Sequence, residues 1–215
     1  MQVGVIPTDT YPALVCDLEN RQAIKTLYTL KGASPSKKLS ILVRNMSDIS
    51  EYTMGFPAST RPGEPDFYKI AKRILPGPYT FIMNASKALP KQITDFDSGK
   101  SKKRATVGVR LVDNIACQEI LSQLPRPLLC SSAIPTENRN DDGSTDTRIP
   151  DPVTLWDYYD GMAGGGLLSF VVSMQHGDWN DDGPAMSQPS TVVDLSGSSI
   201  EMIRAGKGDL SWLGE

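Results

Sequence analysis

The sequence predicts a single α/β domain, residues 1–215, with strands and helices in layers. Short apolar runs of strand length alternate with amphipathic segments of helical period along residues 1–135. The first run, Val3-Gly-Val-Ile6, is closed by Pro7, which has no backbone N–H to donate, and Thr8, Asp9 and Thr10 follow at once. A chain of 215 residues is also long enough to bury one sizeable core.

The elements follow in order. Residues 3–6 read as a buried strand, and its C-terminal end delivers Thr8, Asp9 and Thr10 to the edge where open α/β sheets bind ligands. Asn20 is a helix N-cap; Ala23, Ile24, Leu27, Tyr28 and Leu30 follow at helical spacing, and Lys31-Gly32 is a stop. Residues 40–43 read as a short strand, and Ser47 is expected to cap a brief helix through Tyr52. Residues 53–65, rich in Pro, Gly, Ser and Thr, read as loop. Phe67, Ile70, Ala71 and Ile74 form an apolar helical stripe that Pro76-Gly77-Pro78 ends.

Residues 79–83 read as a strand, and residues 106–111 as another with Val107 and Val109 on one face. Residues 115–124 are helical, and residues 127–130 form a strand running into Ser131-Ser132. Residues 136–152 are polar throughout and read as a long surface loop or lid. A short helix at 155–159 and strands at 170–172, Thr191–Asp194 and Glu201–Arg204 complete the chain, the last two joined by a Ser-Gly-Ser turn.

Bulk properties exclude several classes. A hydrophobic fraction of 39% and a mean hydropathy of -0.27 describe a water-facing protein. No apolar run nears the roughly 18 residues of a membrane helix, and Met1 leads straight into a strand with no signal peptide, so a cytoplasmic location is expected. The net charge of -3 gives non-specific nucleic-acid binding no support. The run Lys100-Ser-Lys-Lys-Arg104 is a local exception; with no aromatic residues interleaved, a solvated loop outweighs a nucleic-acid edge. Cys16, Cys117 and Cys130 are far apart with no CxxC pair, which argues for reduced thiols and against structural zinc.

Candidate chemistry is sparse. His176, the single histidine, sits in a polar loop without a placeable nucleophile. The run Asp178-Trp-Asn-Asp-Asp-Gly183 mimics half a calcium loop, but its twelfth position is Pro189 where a bidentate Glu is needed. Lys31 either complements a helix dipole or, with Lys37 and Lys38, neutralises a polyphosphate. Arg110 ends an apolar strand, as Ser132 does, and Thr8, Arg110 and Ser132 would share one crevice if their strands were parallel neighbours. An Arg among hydroxyls suits a carboxylate or phosphate; a structural network explains it equally well.

Seven blocks in order resemble the YrdC/YciO family, known for threonylcarbamoyl-AMP synthesis. They are Pro7-Thr-Asp-Thr10, Leu30-Lys-Gly-Ala33 with Lys37-Lys-Leu39, Leu75-Pro-Gly-Pro-Tyr-Thr-Phe81, Thr106-Val-Gly-Val-Arg110, Cys130-Ser-Ser-Ala-Ile134, Pro189-Ser-Thr-Val-Val-Asp194 and Ile203-Arg-Ala-Gly206. The resemblance implies a twisted open sheet of mixed parallel and antiparallel strands with flanking helices, the YrdC-like α/β fold shared with DHBP synthase (RibB-like). It implies a nucleotidyltransferase-type reaction of L-threonine, bicarbonate and ATP with magnesium, feeding tRNA N6-threonylcarbamoylation at adenosine 37. It places L-threonine on Thr8, Arg110, Ser132 and Ser190, and ATP on Lys31, Lys37, Thr106 and Arg204. Lys31, Arg110 and Ser132 are then the expected catalytic groups.

The departures from the pattern carry their own expectations. Ala33 stands where the family has Arg, and Ile134 where it has Asn. Both losses point to the YciO-like branch, with catalysis weakened or altered. The alternative function is a YciO-like protein that binds double-stranded RNA or tRNA. Family members carry a helix and a Gly-Gly turn before the first strand. Their lack here reads as a shortened chain, an alternative start or a missing targeting segment, the last of which would allow a plastid or mitochondrial location. The polar insert over residues 136–188 is also foreign to the pattern.

Overall fold

Continuous apolar runs, more than alternating ones, build the centre of this sheet. The computed structural model describes residues 2–34, 38–58, 66–94, 106–134, 151–172, 188–197 and 199–214. The elements are β1 (Val3–Ile6), β2 (Ala13–Asp17), α1 (Arg21–Leu30), β3 (Ser40–Leu42), α2 (Met46–Tyr52), α3 (Phe67–Ile74), β4 (Tyr79–Asn84) and α4 (Lys91–Thr94). There follow β5 (Thr106–Arg110), α5 (Ile115–Ser122), β6 (Leu128–Ser132), α6 (Pro152–Gly161), β7 (Phe170–Val171), β8 (Thr191–Asp194) and β9 (Glu201–Arg204).

The described strands form one open sheet in the order β7-β1-β2-β6-β3-β5-β4-β8-β9. Directions are mixed: β1 with β7, β3 with β5 and β4 with β8 are parallel, and the other neighbours are antiparallel. At one end of the sheet Gly4 lies under the Phe170 ring, where any Cβ would overlap it. That close approach lets the short β7 pair with β1.

Strand alternation divides the sheet into two faces. Val5, Leu14, Ile41, Phe81, Val109 and Val193 point to one face, where α1, α2, α3 and α6 cover them as the main core. Ile6, Ala13, Val15, Leu42 and Cys130 point to the other, where α5 covers them with Cys117 and Leu121. Part of this second face is left open, and the cavity described below lies there.

Local chemistry explains most boundaries. Asn20 caps α1 by accepting from the Ala23 N–H at 3.0 Å, an interaction worth about 1 kcal/mol. The helix closes as a Schellman motif: the Ala33 N–H reaches Tyr28 O, the Gly32 N–H reaches Thr29 O, and Gly32 takes φ +58°. Asp66 caps α3 and Asn114 caps α5 in the same manner as Asn20.

Three expectations need correction. The cap of α2 is Asn45, whose Oδ1 accepts from the Asp48 N–H; Ser47 lies inside the helix. Asp48 then closes on Arg44, whose guanidinium also bonds the carbonyls of Leu124 and Pro125. The strand β2 was not expected at all, because Tyr11-Pro12 breaks the run before it and its buried residues do not alternate. The helix expected at 155–159 is the longer α6, which Asp151 caps. His176, the Asp178–Gly183 run and the 100–104 basic run lie outside the described residues. No helix among the described residues is long and apolar enough to cross a membrane.

Candidate functional site

Register sets the floor of the open face. Arg204 of β9 pairs with Val192 of β8, Val192 with Thr80 of β4, and Phe81 opposite Val109 puts Thr80 level with Arg110 of β5. The next row runs Ile82, Gly108, Ser40 and Cys130. Apart from Phe81 and Val109, which belong to the main core, these residues line one cavity of about 350 Å³. Thr10, Tyr11, Lys38, Ser132, Ile134 and Ser190 complete much of its wall.

Gly108 sits at the middle of the floor because nothing larger fits. A Cβ there would overlap the Ser40 hydroxyl and come within 3.3 Å of the Thr80 methyl. Gly206 has the same role at the rim, where a Cβ would overlap the Pro189 and Ser190 backbone. The close approach is fixed by the Gly206 N–H on Thr191 Oγ1 and the Lys207 N–H on Pro189 O. The two final sequence blocks are thereby packed against each other.

Arg110 is the organising charge. It is buried, and its Nη2 donates to Asp9 Oδ1 at 2.9 Å and to Thr10 Oγ1 at 2.7 Å. Asp9 also accepts from the Asp113 N–H at 3.0 Å. Burial pushes the Asp9 carboxyl above its ordinary value; the positive charge of Arg110, the Asp113 N–H and Lys207 pull it partly back. Arg110 Nε is buried with no partner among the described residues.

Arg204 brings a second guanidinium. Although β9 is exposed, this side chain turns inward, donating to Ser190 O at 2.8 Å and to Ser190 Oγ at 3.2 Å. Burial of the head group and the like charge of Arg110 both lower its pKa. Ser190 Oγ also bonds Thr80 Oγ1 at 2.8 Å. Lys38 adds a third positive charge, its ammonium 2.8 Å from Thr106 Oγ1. No carboxylate is among the described lining residues. The described lining thus combines positive charge with hydroxyls.

The expected site residues therefore fall into groups. Arg110, Ser132, Ser190 and Arg204 come together at the cavity. Arg110 and Ser132 do so from strands on either side of β3 that run in opposite directions, since β5 is parallel to β3 and β6 antiparallel to it. The idea of parallel neighbours was thus wrong, although the two residues share a cavity.

Thr8 is buried in the β1–β2 loop; its hydroxyl donates to Tyr11 O at 2.7 Å, and Thr10 is the threonine that lines the cavity. Thr106 holds Lys38 from the start of β5 and is not itself among the lining residues. Lys31 is buried, and its ammonium donates to Ile134 O at 3.0 Å. Lys37 lies outside the described residues. Sequence reasoning brought Asp9 and Thr10 to the ligand edge and weighed Lys38 for a polyphosphate without giving any of the three a site role, and it missed Thr80. All four stood inside the blocks that carry the resemblance, Asp9 and Thr10 in the first, Lys38 in the second and Thr80 in the third.

The profile of the Sua5/YciO/YrdC family, described as "Telomere recombination", matches residues 2–147. The chain is 26% identical over 208 residues to YciO of Escherichia coli, covering 97% of this chain and 84% of that one. It is 29% identical over 194 residues to human threonylcarbamoyl-AMP synthase, covering 90% of this chain and 58% of that protein. The crystal structure of E. coli YciO superposes with a TM-score of 0.71 at 24% identity, over 98% of this chain and 85% of the other. That of P. abyssi Sua5 in complex with L-threonine superposes at 0.66 and 21% identity, over 95% of this chain and 50% of the other. Mixed strand directions, flanking helices and the family match agree, and the chain belongs to the Sua5/YciO/YrdC family.

Proposed function

We propose that the cavity binds an amino-acid zwitterion, L-threonine foremost, beside ATP, and that the chain acts in or next to threonylcarbamoyl-AMP formation for tRNA N6-threonylcarbamoylation. The observation that carries this reading is the meeting of Arg110 and Arg204 with Thr10, Ser132 and Ser190 around one cavity. The human relative's name and the L-threonine complex of P. abyssi Sua5 support the choice of ligand.

Each group has a role in that reading. Arg110, held on one edge by Asp9 and Thr10, clamps the amino-acid carboxylate, and an entering acceptor also gives its Nε a partner. Ser132 and Ser190 orient the zwitterion. Arg204 and Lys38 offset phosphate charge. The threonine amine takes up bicarbonate as a carbamate with loss of water, the carbamate oxygen attacks the α-phosphorus, and pyrophosphate leaves. The protein supplies position and positive charge and no covalent nucleophile. Magnesium finds no carboxylate ligand in the described lining.

Isothermal titration with L-threonine and an unreactive ATP analogue tests the binding. A pyrophosphate-release assay with each amino acid, with and without bicarbonate, tests the chemistry. Heat from both ligands and release that needs threonine and bicarbonate are expected. A folded chain that binds neither ligand overturns the reading. Salt-dependent binding of duplex RNA without pyrophosphate release replaces it with an RNA-binding function.

A further inference from the structure

We infer that Lys31 is a positioning residue, which ties the end of α1 to the Ile134 carbonyl and so sets the apolar wall of the cavity, and that phosphate is met by Lys38. The inference deepens the proposed function and rests on it only for the ligand-binding arm of the test.

The geometry is specific. An ammonium has three donors and no acceptor, so a buried one must be held by oxygens. Lys31 is the C-cap of α1, fixed there by the Schellman closure through Gly32 and Ala33. From that point its Nζ reaches Ile134 O at 3.0 Å. The β6 ladder ends at Ser132, opposite Ala13. Beyond it the Ala133 N–H is held by Pro12 O at 2.7 Å and the Ile134 carbonyl by Lys31. Ile134 itself lines the cavity.

Moving the Lys31 ammonium to a ligand phosphate would break its bond to Ile134 and release the wall it holds. Lys38 needs no such exchange. It already lines the cavity, and its ammonium is bonded to the hydroxyl of the half-buried Thr106.

The test is NMR on the full chain, following the Ile134 methyl, the Ala133 amide and the lysine Nζ signals. Lys31→Met should shift the Ile134 methyl and speed exchange of the Ala133 amide, and Lys31→Arg should restore both. In the unmodified chain, inorganic pyrophosphate should move the Lys38 Nζ signal and leave that of Lys31 in place. The Kd for L-threonine should rise about tenfold in Lys31→Met and return to within about twofold of the parent in Lys31→Arg, as for a lost bond to a charged donor. An Ile134 methyl that ignores Lys31→Met, or a Lys31 signal that follows pyrophosphate, overturns the inference. If neither pyrophosphate nor threonine binds, the proposed function fails, and the Ile134 and Ala133 signals still decide the role of Lys31. If Lys31→Met does not fold, the Lys31 Nζ signal of the parent chain decides it: slowed exchange at a carbonyl-bound ammonium supports the inference, and rapid exchange overturns it.

Discussion

Asp9 and Arg110, 101 residues apart in the chain, form an ion pair of 2.9 Å almost wholly out of water. A pair of this kind is stabilised by completeness: neither charge tolerates loss of the other. Arg110→Ala strands the Asp9 carboxylate and should cost about 3–5 kcal/mol in urea denaturation. The double variant Asp9→Asn with Arg110→Met should be more stable than Arg110→Ala alone. A double variant that is less stable than the single one would show that the pair is net stabilising in its own right.

The same carboxyl gives a pH signature. Burial raises the Asp9 pKa above 3.8, so the folded chain holds that proton more tightly than the unfolded chain does. Its contribution to stability is full below the unfolded value and is lost as the pH rises through the higher folded value. The exposed caps Asp66 and Asp151 act in the opposite sense, because hydrogen bonds lower their pKa values. Denaturation at several pH values between about 4 and 7 should show the parent losing stability relative to Asp9→Asn as the pH rises. A difference that stays constant with pH would contradict the assignment.

Gly108 tests the cavity floor. Gly108→Ala forces a methyl into the Ser40 hydroxyl and should cost about 1–3 kcal/mol, the range for overpacking. Adding Ser40→Ala removes the overlapping oxygen but leaves the Ser40 Cβ, which would stand 3.2 Å from the new methyl. Recovery in the double variant should therefore be partial, and a double-mutant cycle should give a favourable coupling. Simple additivity would mean the floor is not packed as described.

The sheet was legible where strands alternate or meet a proline, as in β4, β5 and β8. It was not legible at β2, a buried strand whose two faces are both apolar. Capping was legible as a residue class and not always as a position. Asn45 and Ser47 are both competent caps, and Asn45 prevails with Asp48 already drawn to the Arg44 N–H and guanidinium. Arg110, Ser132, Ser190 and Arg204 were found through the sequence blocks that hold them. The Asp9 ion pair and the Lys31 tether were not, because each depends on a partner more than 100 positions away. No local pattern encodes such a meeting; the fold has to be present first.

The three thiols should be inert in the folded chain. Burial pushes Cys16, Cys117 and Cys130 each up to about 12. At about pH 8 only one molecule in about ten thousand then carries a given thiolate, and the thiolate is the nucleophile. Ellman's reagent should react slowly with native protein and release three equivalents in denaturant. A fast native thiol would show that the packing around one cysteine opens, and peptide mapping that placed it at Cys130 would locate the opening in the cavity floor.

Arg204 separates anion binding from folding. It belongs to β9, an edge strand whose side chains are exposed, so Arg204→Ala removes little core. It does remove the second guanidinium of the cavity and the bonds to Ser190. Pyrophosphate at about 100 times its Kd should stabilise the parent by about 2.7 kcal/mol, a rise in Tm of about 5–10 °C for a chain of this size. Arg204→Ala should lose most of that rise. Arg204→Lys should recover part of it, because charge returns without the planar fork. Added salt should weaken the parent's response more than that of Arg204→Ala, since the parent has one more charge to screen. Equal responses in the parent and Arg204→Ala would confine anion recognition to Arg110 and Lys38, and the β9 rim would then serve only to hold Ser190 in place.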